Sequence, residues 1–154
     1  MILRFDAPQH ELRFVDDHYV EVSYAVVKSR EHAAHLQFIA MLQRQLSMYS
    51  LLDLRELMRS GDEGSRVLAL RGYGAIFDGF WGAIPKDYAE GLRDQRRSVR
   101  EAVLAGMARI AWLEFVPILE AAISEELDAM LKEDMADLLA GIRAHGKRGV
   151  DQMS

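Results

Sequence analysis

The chain has 154 residues, of which half are hydrophobic and 28% charged, with a formal net charge of −5. That length suits one ordinary domain, and the composition is that of a folded globular protein rather than a disordered one. Cys, Thr and Asn are all absent. Their absence excludes a disulfide framework, thiolate metal sites, a cysteine nucleophile and Asn-linked glycosylation, and it disfavours an all-β fold.

Nineteen Lys and Arg against 24 Asp and Glu make a poor match to nucleic-acid phosphates unless the basic residues gather on one face. Acids and a proline follow Met1-Ile2-Leu3-Arg4-Phe5 too early for a secretory signal, and the apolar run at 102–108 is bracketed by Glu101 and Arg109. The expectation is a soluble, cytoplasmic protein.

Short alternations dominate the first 27 residues. Val20, Val22, Tyr24 and Val26 fall on one side of an extended chain, with Tyr19, Glu21 and Ser23 on the other. Leu12 and Phe14 offer a second strand, joined to the first through Asp16-Asp17, and Leu3 and Phe5 a third, joined through Ala7-Pro8-Gln9. Together they predict an antiparallel β-meander over 1–27.

From Ser29 the period changes. Leu36, Ile39, Leu42 and Leu46 recur every three or four residues, which predicts a helix over 29–46 capped by Ser29. Residues 49–54 suit a buried strand or the start of a helix, and helix is favoured because Leu51, Leu54 and Met58 share a helical face. Residues 60–64 read as a loop. Val67, Leu70, Phe77 and Trp81 then predict a helix carrying Gly72, Gly74 and Gly79, whose interior glycines imply close packing or a bend, and Pro85 closes this middle region of 29–83.

In the last third, Tyr88, Leu92, Val99, Val103, Ile110 and Leu113 mark one face of a helix over 86–116, ended by Pro117. A second run passes through Ile118, Ile123, Leu127, Leu131, Met135, Leu138 and Ile142, stopping at Gly146 before a flexible tail over 147–154. A straight 86–116 helix would be about 46 Å long. The radius of gyration of a domain this size is only about 15 Å, so the rod would overhang the core. A homo-oligomer, most simply a dimer, is the expected way to cover its apolar stripe.

Three constellations stand out as candidate sites. Arg93, Arg96, Arg97 and Arg100 at helical spacing suit an anion or nucleic acid, or else form a solvated face stitched by Glu90, Asp94 and Glu101. Residues 114–137 hold eight acids and one Lys, against six bases and four acids over 86–109, so these consecutive segments are expected to face each other or their symmetry mates. Tyr73, Phe77, Phe80 and Trp81, beside glycines that leave room, suit either a ligand-pocket wall or core packing. His32 and His35 are close enough on one helix to share a metal, although their spacing is not that of a metalloprotease.

No G-x-S-x-G, P-loop lysine or dinucleotide-binding glycine pattern is present, and no acid, base and oxyanion site assemble, so the sequence suggests no catalysis and calls for no cofactor.

Ser50-Leu51-Leu52-Asp53-Leu54-Arg55, preceded by paired strands and a helix from Glu11 onward, resembles the opening of a STAS-type regulatory domain. That likeness implies a regulatory interaction module in which 50–55 is a buried strand. Arg96-Arg97-Ser98-Val99-Arg100 with Val116-Pro117-Ile118-Leu119-Glu120 and Leu138-Leu139 is similar to the wing-to-dimerisation-helix region of MarR-type transcription regulators, over about a third of the chain. That likeness implies DNA binding by a dimer.

The sequence therefore predicts a helix-dominated α+β fold: an N-terminal meander, four to five amphipathic helices and a long C-terminal helical hairpin over 86–146. The expected function is that of a non-catalytic oligomeric regulatory or protein-interaction module. A DNA-binding regulator and a small-molecule or metal-binding protein are the alternatives.

Overall fold

A computed structural model describes residues 2–7, 10–18, 21–46, 48–76 and 82–149. It is a helix-dominated α+β fold. β1 (Ile2–Ala7), β2 (His10–Asp17) and β3 (Val22–Ser29) form an antiparallel sheet in that order, with Leu12 opposite both Phe5 and Val27. Asp16 and Asp17, expected in a turn, lie in β2 opposite Ser23 and Val22. The chain reverses just beyond them, where Glu21 takes a left-handed φ of 53°.

α1 (His32–Leu46) begins three residues later than the periodicity suggests, because Ser29 completes β3 and its hydroxyl accepts from the Glu31 amide at 3.4 Å. The helix is lightly packed. Leu42 is buried, whereas Leu36 and Leu46 of the same predicted stripe are 55% and 45% exposed.

α2 (Leu51–Arg59) is helix where the STAS likeness implies strand. A capping box explains why: the Ser50 amide donates to Asp53 Oδ2 at 2.7 Å and the Asp53 amide donates to Ser50 Oγ at 3.2 Å. α3 (Glu63–Ile76) starts earlier than expected, its first turn fixed by the Ser65 amide donating to Asp62 Oδ2 at 2.8 Å. The remainder of the predicted aromatic segment, with Phe77, Phe80 and Trp81, lies outside the described residues.

The long C-terminal hairpin is a correction, since four helices replace its two rods. α4 (Ala83–Gly91) ends at a glycine, and an Asx-type turn, with the Arg96 amide donating to Asp94 Oδ1 at 2.9 Å, precedes α5 (Arg97–Ile110). Ala111 then adopts φ 53° and a 3-10 turn (Leu113–Phe115) leads into α6 (Val116–Glu125). The prolines open helices here: Pro85 and Pro117 sit in the first turns of α4 and α6, where a missing N–H costs nothing. A break at 126–128 separates α6 from α7 (Ala129–His145), which Asp128 caps.

The expected flexible tail at 147–154 is also corrected in its first part. Lys147 is pinned by main-chain bonds, donating to Ala111 O at 3.0 Å and accepting from the Leu113 amide at 2.9 Å. Residues 150–154 lie outside the described residues.

One apolar core is assembled from α2 to α7. At its centre Tyr88 stacks edge-on against Tyr73 and Phe115, with ring centroids 6.0 and 5.5 Å away, and donates its hydroxyl to Leu70 O at 3.1 Å. Val99, Val103, Met107, Leu119, Leu131 and Met135 are wholly buried, each contributing roughly 1.5–3 kcal/mol of transfer free energy. Most of the stripes expected to overhang the core are thus covered within a single chain, because the helices are short enough to fold back on each other; Leu127 is the exposed exception.

Leu12 and Leu42 are buried but belong to no part of this cluster. The sheet and α1 therefore form a second layer. It is held to the helical body by packing of β3 on α3 and by polar ties: an Arg71–Glu21 ion pair, and Arg109, which reaches Asp17 Oδ2 at 3.4 Å and donates to the Tyr24 hydroxyl at 3.3 Å.

Candidate functional site: a cavity between the two layers

Where the second layer meets the helical body, packing is incomplete. A cavity of about 820 Å³ lies between β3, α1, the α2 start, the α3 end and the α5 end. Val22 and Val26 of the sheet, Ile39 and Leu42 of α1, and Leu54 and Leu68 of the body supply its apolar lining. Ala75, a small residue at the α3 end, also lines the space. Its volume falls in the range of about 300–1,000 Å³ that small-molecule sites occupy.

The titratable groups on the wall are Glu21, Tyr24, His35, Tyr49, Arg109 and Lys147. Glu21 is engaged by Arg71. Arg109 sits in the last turn of α5, and its guanidinium is held charged above the usual arginine range, chiefly by its hydrogen bond to Tyr24. Lys147 reaches the same helix end through its main-chain bond to Ala111. Neither cation was a candidate in the sequence, because 38 residues separate them and only the return of the chain after α7 brings them together.

The predicted site residues are distributed otherwise. Tyr73 is fully buried, and its hydroxyl donates to Asp87 Oδ2 at 2.9 Å. Burial, then the Asp87 charge, push its phenol above the ordinary tyrosine range. It is a core residue and does not line the cavity. His35 does line it. His32 opens α1, but its side chain lies outside the described residues. Among the described residues no group of three or more His, Asp or Glu side chains is arranged to hold a metal ion.

Each of the four arginines faces a carboxylate. Arg96 grips Asp94 with two side-chain bonds of 2.8 Å, and that bonding lowers the Asp94 pKa to about 2. Arg97 bridges Glu101 at 2.7 Å and Asp128 at 2.9 Å, Arg100 pairs with Glu126 at 2.9 Å, and Arg93 stands 3.8 Å from Glu125. The basic and acidic segments do face each other, inside one chain. Beside them a second recess of about 870 Å³ is floored by Leu92, Ile118, Ala121 and Ala122, with Arg93 and Glu125 on its lining.

The fold and site define a class: a helical α+β protein with a thin sheet layer and, beneath it, a cavity lined by aliphatic and polar side chains with Arg109 and Lys147 among them. Comparison with protein-family models, with curated proteins and with solved structures gives no significant match. Among the described residues, no helix is long and apolar enough to cross a membrane.

Proposed function

We propose that the chain is a non-catalytic regulatory module that works by taking a small apolar molecule into the cavity between its sheet layer and its helical body. One observation carries this reading: about 820 Å³ of unfilled space lies outside the core, with aliphatic side chains of both layers, Val22, Val26, Ile39, Leu42, Leu54 and Leu68, on its wall. An occupant would add contacts between layers that otherwise share light packing and a few ion pairs, so binding would tighten one against the other. The test is titration with the neutral fluorescent probe N-phenyl-1-naphthylamine. Wild-type protein should bind saturably and Ala75→Phe, which fills the cavity from α3, should lose at least tenfold in affinity while melting normally. Equal binding by both proteins, or none by the wild type, would contradict the reading.

Self-association is a second reading, favoured by a specific feature. Leu127 is 97% exposed and Met130 64% exposed beside the recess at the α6–α7 elbow. Arg93 and Glu125, both about two-thirds exposed and only loosely paired, give its rim both signs of charge, so a second copy related by a twofold axis is complementary to it. Sedimentation should give a dimer that Leu127→Asp converts to monomer; a monomeric wild type at high concentration removes this reading. A DNA-binding regulator draws less support, because the arginine stripe is matched by carboxylates.

A further inference from the structure

We infer that the molecule taken into the cavity is an amphiphile with an anionic head and an apolar tail, whose head is met by Arg109 and Lys147; this inference rests on the binding reading above. The lining is divided by chemistry. Its sheet, α1 and α2 walls carry most of the aliphatic side chains, whereas both cations on the lining belong to the C-terminal end of α5, Arg109 in its last turn and Lys147 bonded through its main chain to Ala111. Lys147 is brought there by the main-chain bonds to Ala111 and Leu113, and its ammonium has no carboxylate partner among the described residues.

Arg109 is only partly engaged. Its contacts to Asp17 and Tyr24 are long, at 3.4 and 3.3 Å, they use two of its five N–H donors, and its side chain is 46% exposed. The acid on the wall, Glu21, is satisfied by Arg71. The cavity edge therefore presents two cations with spare hydrogen-bonding capacity, one of them with no carboxylate partner among the described residues. An anion there gains charge-assisted bonds, while a cationic head would be repelled.

The experiment compares three probes with the same twelve-carbon tail: dodecanoate, dodecanol and dodecyltrimethylammonium. Each displaces N-phenyl-1-naphthylamine below its micelle concentration, from wild type, Arg109→Gln, Arg109→Lys and Lys147→Gln. Dodecanoate is expected to bind wild type at least tenfold tighter than dodecyltrimethylammonium, with dodecanol between them. Arg109→Gln and Lys147→Gln should each erase most of that preference, read as the ratio of dodecanoate to dodecanol affinity within the same variant, and Arg109→Lys should keep part of it. Should Arg109→Gln fail to fold, Lys147→Gln, altered only at an exposed side chain, decides the matter. Equal affinity for the three heads, or a preference unmoved in Lys147→Gln, overturns the head-group assignment while leaving the cavity reading intact. Failure of every probe, the naphthylamine included, overturns the cavity reading itself.

Discussion

Gly74 and Gly106 meet back to back where α3 crosses α5: a Cβ on Gly74 would lie 2.9 Å from Gly106 Cα, and one on Gly106 would lie 2.7 Å from Leu70 O and collide with the Tyr88 hydroxyl. No side chain fits between these two backbones. Gly106→Ala is therefore expected to destabilise the fold by about 1–3 kcal/mol, as overpacking does. Gly141, in α7, has nothing within 4 Å of its would-be Cβ. Gly141→Ala should stabilise by about 0.5–1 kcal/mol through helix propensity alone. Urea unfolding of the two variants checks both signs together.

The capping box at Ser50 holds the start of α2, and that start is part of the cavity wall. Ser50→Ala should cost about 1 kcal/mol in the same unfolding measurement. Ser50→Asp, which keeps a capping oxygen, should recover most of it.

Acid should unfold the protein partly through Asp94. Its side chain is 6% exposed and its carboxyl, bonded by Arg96 and beside Arg66 at 3.0 Å, titrates near pH 2 in the folded state against about 4 when unfolded. Because the folded value is the lower, the stabilisation is present above about pH 4 and is lost as pH falls from there toward 2. Asp94→Asn should lower stability at neutral pH and flatten the slope across that window, as read by thermal melts at stepped pH.

Alkaline titration gives the opposite sign. Burial raises the phenols of both Tyr73 and Tyr88, which favours the folded state below pH 10 and is lost as unfolded tyrosines ionise above it. Ultraviolet titration should therefore show two of the five tyrosines ionising only on unfolding. Ionisation of all five before any loss of helix would show that the Tyr73–Tyr88 core is open to water.

Much of the architecture could be read from periodicity, since Tyr88, Leu92, Val99, Val103, Leu131, Met135 and Ile142 lie buried where their spacing puts them. Periodicity registers which face is apolar but not where a helix breaks. Leu127 continues the stripe from Ile123 to Leu131 in sequence, yet the interruption at 126–128 leaves it 97% exposed. The breaks were written in local chemistry instead: Gly91, the Asx turn at Asp94 and the Asp128 cap. Reading the prolines as terminators reversed their meaning, because a helix tolerates proline in its first turn.

The cavity was less legible. His35, Ile39 and Leu42 were marked, but as metal ligand and core stripe, and the two cations at the α5 end carry no motif. A site made from gaps between layers has no spacing in sequence. It arises because α1 presents too little matched surface to close on the body.

The most direct test of the account is a methyl-resolved NMR titration with N-phenyl-1-naphthylamine. The methyl groups of Val22, Val26, Ile39 and Leu54 should shift together and saturably, while those of Leu119, Leu131 and Ile142 in the core stay in place. Shifts confined to Ile118 and Leu127 at the elbow, or no shifts at any probe concentration, would contradict it.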